Sequence, residues 1–139
     1  MTANNKSPDR NMADPAASDP TRVAGELPAE CAMALLYTTF PNKDAAVSAG
    51  RALVEGLHAG CINILPAMTA IYVWGGVTEV ADEVVLIAKV PGAHVPAAMQ
   101  ALLKVHPYQT PAILVLPVAA VNAGYLDWLC SGVGPVVPA

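Results

Sequence analysis

From Cys31 to Thr39 the chain reads CAMALLYTT, a short run apolar on both faces and stopped by Pro41. A central strand covered on both sides has this pattern, because neither face meets water. Asn42 can accept a bond from an early backbone N–H, and Asp44 places negative charge in the first turn, so a helix is predicted to start there. Ala46, Gly50, Leu53, Val54 and Leu57 then form one apolar stripe, with Lys43, Arg51 and Glu55 elsewhere on the surface. Gly60 is expected to end this helix in a left-handed turn. CINIL, from Cys61 to Leu65, predicts a strand that Pro66 closes or bends. TAIYVW from Thr69 to Trp74 and VTEVADEVVLIAKV from Val77 to Val90 flank Gly75 and Gly76, a two-glycine hairpin signal. The start of the second arm, with Glu79, Asp82 and Glu83, reads as solvated or protruding, and its end, VVLIAKV, as buried. Such a hairpin is long enough to reach beyond its own subunit.

Pro91 and Gly92 break the strand, after which Val95, Ala98, Met99, Leu102 and Leu103 keep helical spacing up to Val105. AILVL from Ala112 to Leu116 supplies a last strand closed by Pro117, and Tyr125, Leu126, Trp128 and Leu129 fit a short C-terminal helix. The order β-α-β-β-α-β plus a helix predicts an α+β, ferredoxin-like two-layer sandwich, in which two helices back one face of an antiparallel sheet. The other face then needs cover, and a second copy of the chain would supply it.

Composition sharpens that expectation. Charged residues are 13% of the 139-residue chain, against about a quarter in an average domain, and they crowd into residues 1–30. That segment carries Pro8, Pro15, Pro20 and Pro28 among Ser, Asn and Asp, and is expected to be a mobile tail. One domain is expected over 31–131, with a C-terminal tail over 132–139. The body is so apolar that self-association follows as the first inference. Its Lys43, Arg51, Lys89 and Lys104 are too few and too scattered to neutralise a run of phosphates, so nucleic acid is not an expected partner. No apolar run reaches the roughly 18 residues of a membrane span. The odd, widely spaced Cys31, Cys61 and Cys130 suit a reducing compartment, and a basic start followed by an apolar stretch is missing, so the expected location is the cytoplasm.

The chemistry concentrates in VHPYQTP, from Val105 to Pro111. Two prolines hold His106 and Thr110 in extended geometry, which fixes the side chains of a short polar link. In one reading His106 caps the preceding helix through its last carbonyls and Tyr108 fills a subunit seam. In the other, His106 is a metal or ligand contact at that seam. Cys61 follows His58 by three residues, but no second Cys/His pair completes a closed zinc site, and a small core residue at a strand start is the plainer account. In an alternating strand Glu79 and Glu83 share one face while Asp82 points away, so the three carboxylates do not make a site by themselves. His94 and Cys130 acquire no role. No nucleophile elbow or phosphate-cradling loop specifies an enzyme.

AGCINILP, AIYVWGG, the apolar arm ending in Lys89, HPYQTP running into LVLPV, and YLDWL resemble, in that order, the motifs of the CutA proteins, named for divalent cation tolerance. The resemblance covers about Ala32 to Leu129. It implies a homotrimer akin to the P-II signalling proteins, with long hairpins packed between subunits and a ligand-binding cleft lined by Trp74, Glu83, Lys89, His106, Tyr108 and Tyr125. It also implies a link to copper and other divalent cations, with His106 as the metal residue. Where relatives place a cysteine near the end of strand one and a second histidine before the Pro-Tyr, this chain has Thr38 and Val105. The family likeness leaves a second implication open, a P-II-like sensor that takes a small anionic ligand or a partner protein in the same cleft.

Overall fold

A computed structural model describes residues 19–27 and 31–135. In the first strand, β1 (Met33–Phe40), alternation sorts the side chains: Ala34, Leu36, Thr38 and Phe40 are fully buried, whereas Leu35 and Tyr37 are only partly covered. The elements that follow are α1 (Lys43–Glu55), β2 (Cys61–Trp74), β3 (Val77–Pro91), a single 3-10 turn at Gly92–His94, α2 (Val95–Val105), β4 (Ile113–Pro117) and α3 (Ala123–Ser131). The four strands form one antiparallel sheet in the order β2-β3-β1-β4. This is the expected α+β sandwich with its extra C-terminal helix.

The core lies between the sheet and two helices. Leu36, Phe40, Leu86 and Val90 from the sheet meet Leu53 of α1 and Leu102 of α2. Each such side chain contributes about 1.5–3 kcal/mol by leaving water. Register assigns the opposite face row by row: Cys61, Lys89, Leu35 and Leu116 lie across from one another, then Asn63, Ile87, Tyr37 and Leu114. Helix α3 covers one end of that face, where Tyr125 lies against Lys89 and Leu129 is buried. The remainder is open, and Leu114 and Leu116 are about half exposed.

Several local expectations are corrected. Of the two outcomes expected at Pro66, closing or bending the strand, the second holds: CINIL and TAIYVW are one strand, because the register break between Leu65 and Met68 absorbs Pro66 and pairing resumes beyond it. The left-handed residue after α1 is Leu57, at φ 64°, rather than Gly60. Gly60 serves packing instead, since a β-carbon there would come within 2.7 Å of both the side chain and the carbonyl of Leu129. The expected stripe of α1 fails at Val54 and Leu57, which are exposed, while Ala49 is buried. Of the expected tail 1–30, residues 1–18 and 28–30 lie outside the described residues; Asp19–Leu27 is described, and Leu27 packs against the core rather than standing free. Of 132–139, residues 136–139 lie outside them. Gly134 is held, its N–H bonded to the Leu57 carbonyl at 3.0 Å and its carbonyl to His94 Nε2.

Candidate functional site

Alternation and the Gly75–Gly76 turn build a two-stranded arm. Both glycines have positive φ, 60° and 79°, the geometry of a tight hairpin turn whose twist matches its strands. Strand β1 pairs with β3 only over Val84–Pro91, so Val77–Glu83 is paired with β2 alone. One face of the arm exposes Ile71, Val73 and Val80, at 69%, 67% and 59%. The other carries Met68, Tyr72 and Trp74 opposite Glu83, Glu79 and Val77.

At the arm's root, Glu83 is 2% exposed although its neighbours Glu79 and Asp82 reach solvent, so the expectation of a wholly solvated acidic start does not hold for it. Its carboxylate accepts a 3.0 Å bond from the Tyr108 hydroxyl, itself buried. Both partners are buried, so the bond is costly to leave unmade, at about 1–3 kcal/mol. An open cavity of about 590 Å³ lies beside it, lined by Glu83, Asp82, Met68, and Asn42 and Lys43 at the start of α1. Asn42 caps that helix as expected, its Oδ1 accepting from the Ala45 N–H at 2.8 Å. Lys43 joins the site only because strand β1 ends beside the arm, a placement with no local signal in the sequence.

His106 ends α2, but its imidazole does not bond the helix's last carbonyls; only its backbone N–H does, to Leu102. The ring turns to β1 instead. Nε2 lies 2.9 Å from both the Thr39 carbonyl and the Thr38 hydroxyl, and Nδ1 accepts the Tyr108 N–H at 3.2 Å. A carbonyl can only accept, so the proton sits on Nε2 and the lone pair on Nδ1. Phe40 stacks on the ring at 4.3 Å between centroids. The expected metal ligand is therefore a buried cross-link between α2 and β1, and its one lone pair is engaged. Thr38 is a fully buried partner of that imidazole. Among the described residues no group of three or more His, Cys, Asp and Glu is arranged to hold a metal ion.

The six residues expected to share one cleft fall into three places within a single chain. Glu83, His106 and Tyr108 are together. Lys89 lies over the Tyr125 ring, 5.3 Å from its centroid, and Tyr125 touches Trp128. Lys89 is six residues along β3 from Glu83, about 20 Å at the rise of a strand. Trp74 sits at the hairpin tip opposite Val77, about 40 Å from Lys89 by the same measure. Sequence reasoning missed His94, which is buried and bonds Gly134; its isolation in the sequence left no signal.

The family model for the CutA1 divalent ion tolerance protein matches residues 34–131. Mouse Protein CutA is 35% identical over 83% of this chain, and the match spans 64% of the mouse protein. The human protein is 38% identical over 67% of this chain, which spans only 52% of it. The divalent-cation tolerance protein CutA of Thermus thermophilus is 38% identical over 72% of this chain and 97% of its own. The solved structure of the divalent cation tolerance protein from Thermus thermophilus superposes with a TM-score of 0.69 at 35% identity, covering 73% of this chain and 99% of that one. The core, the hairpin arm, the His106–Tyr108 link and α3 all lie inside the matched span, and the chain belongs to the CutA1 divalent ion tolerance protein family.

Proposed function

We propose that the chain works as a homotrimer in divalent cation tolerance, and that its ligand cleft is completed where the arm of one subunit meets the open sheet face of the next. The observation that carries this reading is the separation just described: Trp74 stands some 40 Å from Lys89 along one arm, so only another copy can bring the cleft residues together. The exposed Ile71, Val73 and Val80 and the uncovered Leu114 and Leu116 are the surfaces such packing would bury. The divalent-cation tolerance names of the relatives support the role. The three cysteines are free, which agrees with a reducing compartment.

Within that cleft the donor set bears on the ligand. Copper is favoured by imidazole-rich or thiolate sets, whereas the group of this set that attracts a ligand of opposite charge is the ammonium of Lys89, beside the Tyr125 ring. This favours the second reading, a small anionic ligand of the kind P-II proteins sense, over direct copper ligation by His106. Calorimetric titration with Cu(II), alongside a thermal-shift screen of nucleotides and carboxylates, tests both. We expect His106→Ala to leave any copper uptake unchanged and Lys89→Ala to abolish the shift given by an anionic ligand. Loss of stoichiometric copper binding in His106→Ala would restore the metal reading, and a monomeric native protein at micromolar concentration would overturn the trimer.

A further inference from the structure

The nine-residue segment Asp19–Leu27 is shaped by its own sequence. Asp19 Oδ1 accepts from both the N–H and the hydroxyl of Thr21, at 2.9 and 2.7 Å, and the Arg22 N–H bonds the Asp19 carbonyl at 3.2 Å, with Pro20 preset at the turn's second position. The segment shares cavity walls with α2 and β4, yet among the described residues none of its backbone groups bonds either element. Two half-buried side chains, Val23 and Leu27, anchor it. Two open cavities flank these anchors, one of about 420 Å³ toward β4 and one of about 530 Å³ toward the outer face of α2. The residues common to both linings are Val23, Leu27 and Met99. Met99 is 4% exposed and shares the wall between the two cavities with both anchors, so the segment passes beside it with unfilled space on either side.

We infer that Asp19–Leu27 is a displaceable strap and that Met99 beside it is a redox-sensitive latch. Ordering nine residues opposes what two partly buried anchors return, so seated and lifted states are close in free energy. In the lifted state the Met99 thioether meets solvent. A hydroperoxide transfers one oxygen to the sulfur: the O–O bond breaks, an S=O bond forms, sulfur is oxidised, and the peroxide is reduced to water or an alcohol. The flanking cavities leave room for the added oxygen. The polar sulfoxide then replaces an apolar surface at the anchors' seat, and the strap stays lifted.

The test uses the full chain. Trypsin cleavage between Arg22 and Val23 reports the lifted state, and peptide mapping reports oxidation of Met99. We expect treatment with hydrogen peroxide to accelerate that cleavage roughly threefold to tenfold, and to leave the rate unchanged in Met99→Leu, which keeps the volume and removes the reactive sulfur. Leu27→Asp should cleave at the fast rate without peroxide and oxidise Met99 faster than the parent chain. Equal cleavage before and after complete Met99 oxidation would overturn the latch, and unchanged cleavage in Leu27→Asp would overturn the strap.

Discussion

His106 shows how much a residue's chemistry depends on what has been folded around it. Free imidazole is a general metal ligand, but here every polar atom of the ring is tied within the subunit and Phe40 closes one face. Replacing it with alanine strands the buried Thr38 hydroxyl and Thr39 carbonyl, and we expect His106→Ala to cost about 2–4 kcal/mol in urea denaturation. Tyr108→Phe removes a hydroxyl that donates to Glu83 and should cost about 1–3 kcal/mol by the same measurement, with the fold retained. At the surface, the bonds from Thr21 hold the Asp19 carboxyl below its usual range. A depressed folded value means that the turn is present above the ordinary carboxylate range and is lost as pH falls through the lowered one. The Thr21 amide proton, followed by NMR, should titrate with a midpoint below that of a free aspartate.

At the scale of elements, the strands were the most legible part of the sequence and the helix ends the least. Alternation and β-branched content do not depend on neighbours, so VVLIAKV and LVL could be placed from their composition. The end of α1 could not, because the expected stop, Gly60, is required by the approach of Leu129 from α3, some seventy residues away. Leu57 takes the left-handed turn in its place. A side chain at positive φ costs about 1–2 kcal/mol, and Leu57 is half exposed. Leu57→Gly should therefore stabilise the protein by about 0.5–1 kcal/mol, read as a higher thermal midpoint. Gly60→Ala should act the other way and displace α3, which loss of the Tyr125–Trp128 near-ultraviolet circular dichroism would report.

Over the whole molecule the unbalanced feature is apolar surface. Ile71, Val73, Val80, Leu114 and Leu116 are exposed in a chain whose core is packed on the helix-facing side of the sheet. Because they contact little within the subunit, Ile71→Asp or Leu114→Asp should leave far-ultraviolet circular dichroism unchanged while lowering the sedimentation coefficient toward that of one subunit. Unfolding of either variant would show instead that these side chains serve the subunit's own core. The same distribution explains why the candidate site was only half readable: the HPYQTP link and the root of the arm are close in one chain, but the tip of the arm is not.

The sequence by itself determined the strand and helix order, the hairpin and the family, because periodicity, turn residues and short motifs are local properties of the chain. Only the tertiary structure decided that Glu83 is buried against Tyr108, that His106 is a brace rather than an open ligand, and that Leu27 returns to pack against the core. Those outcomes depend on which distant segments meet, and a side chain's protonation, exposure and free lone pairs are settled by that meeting.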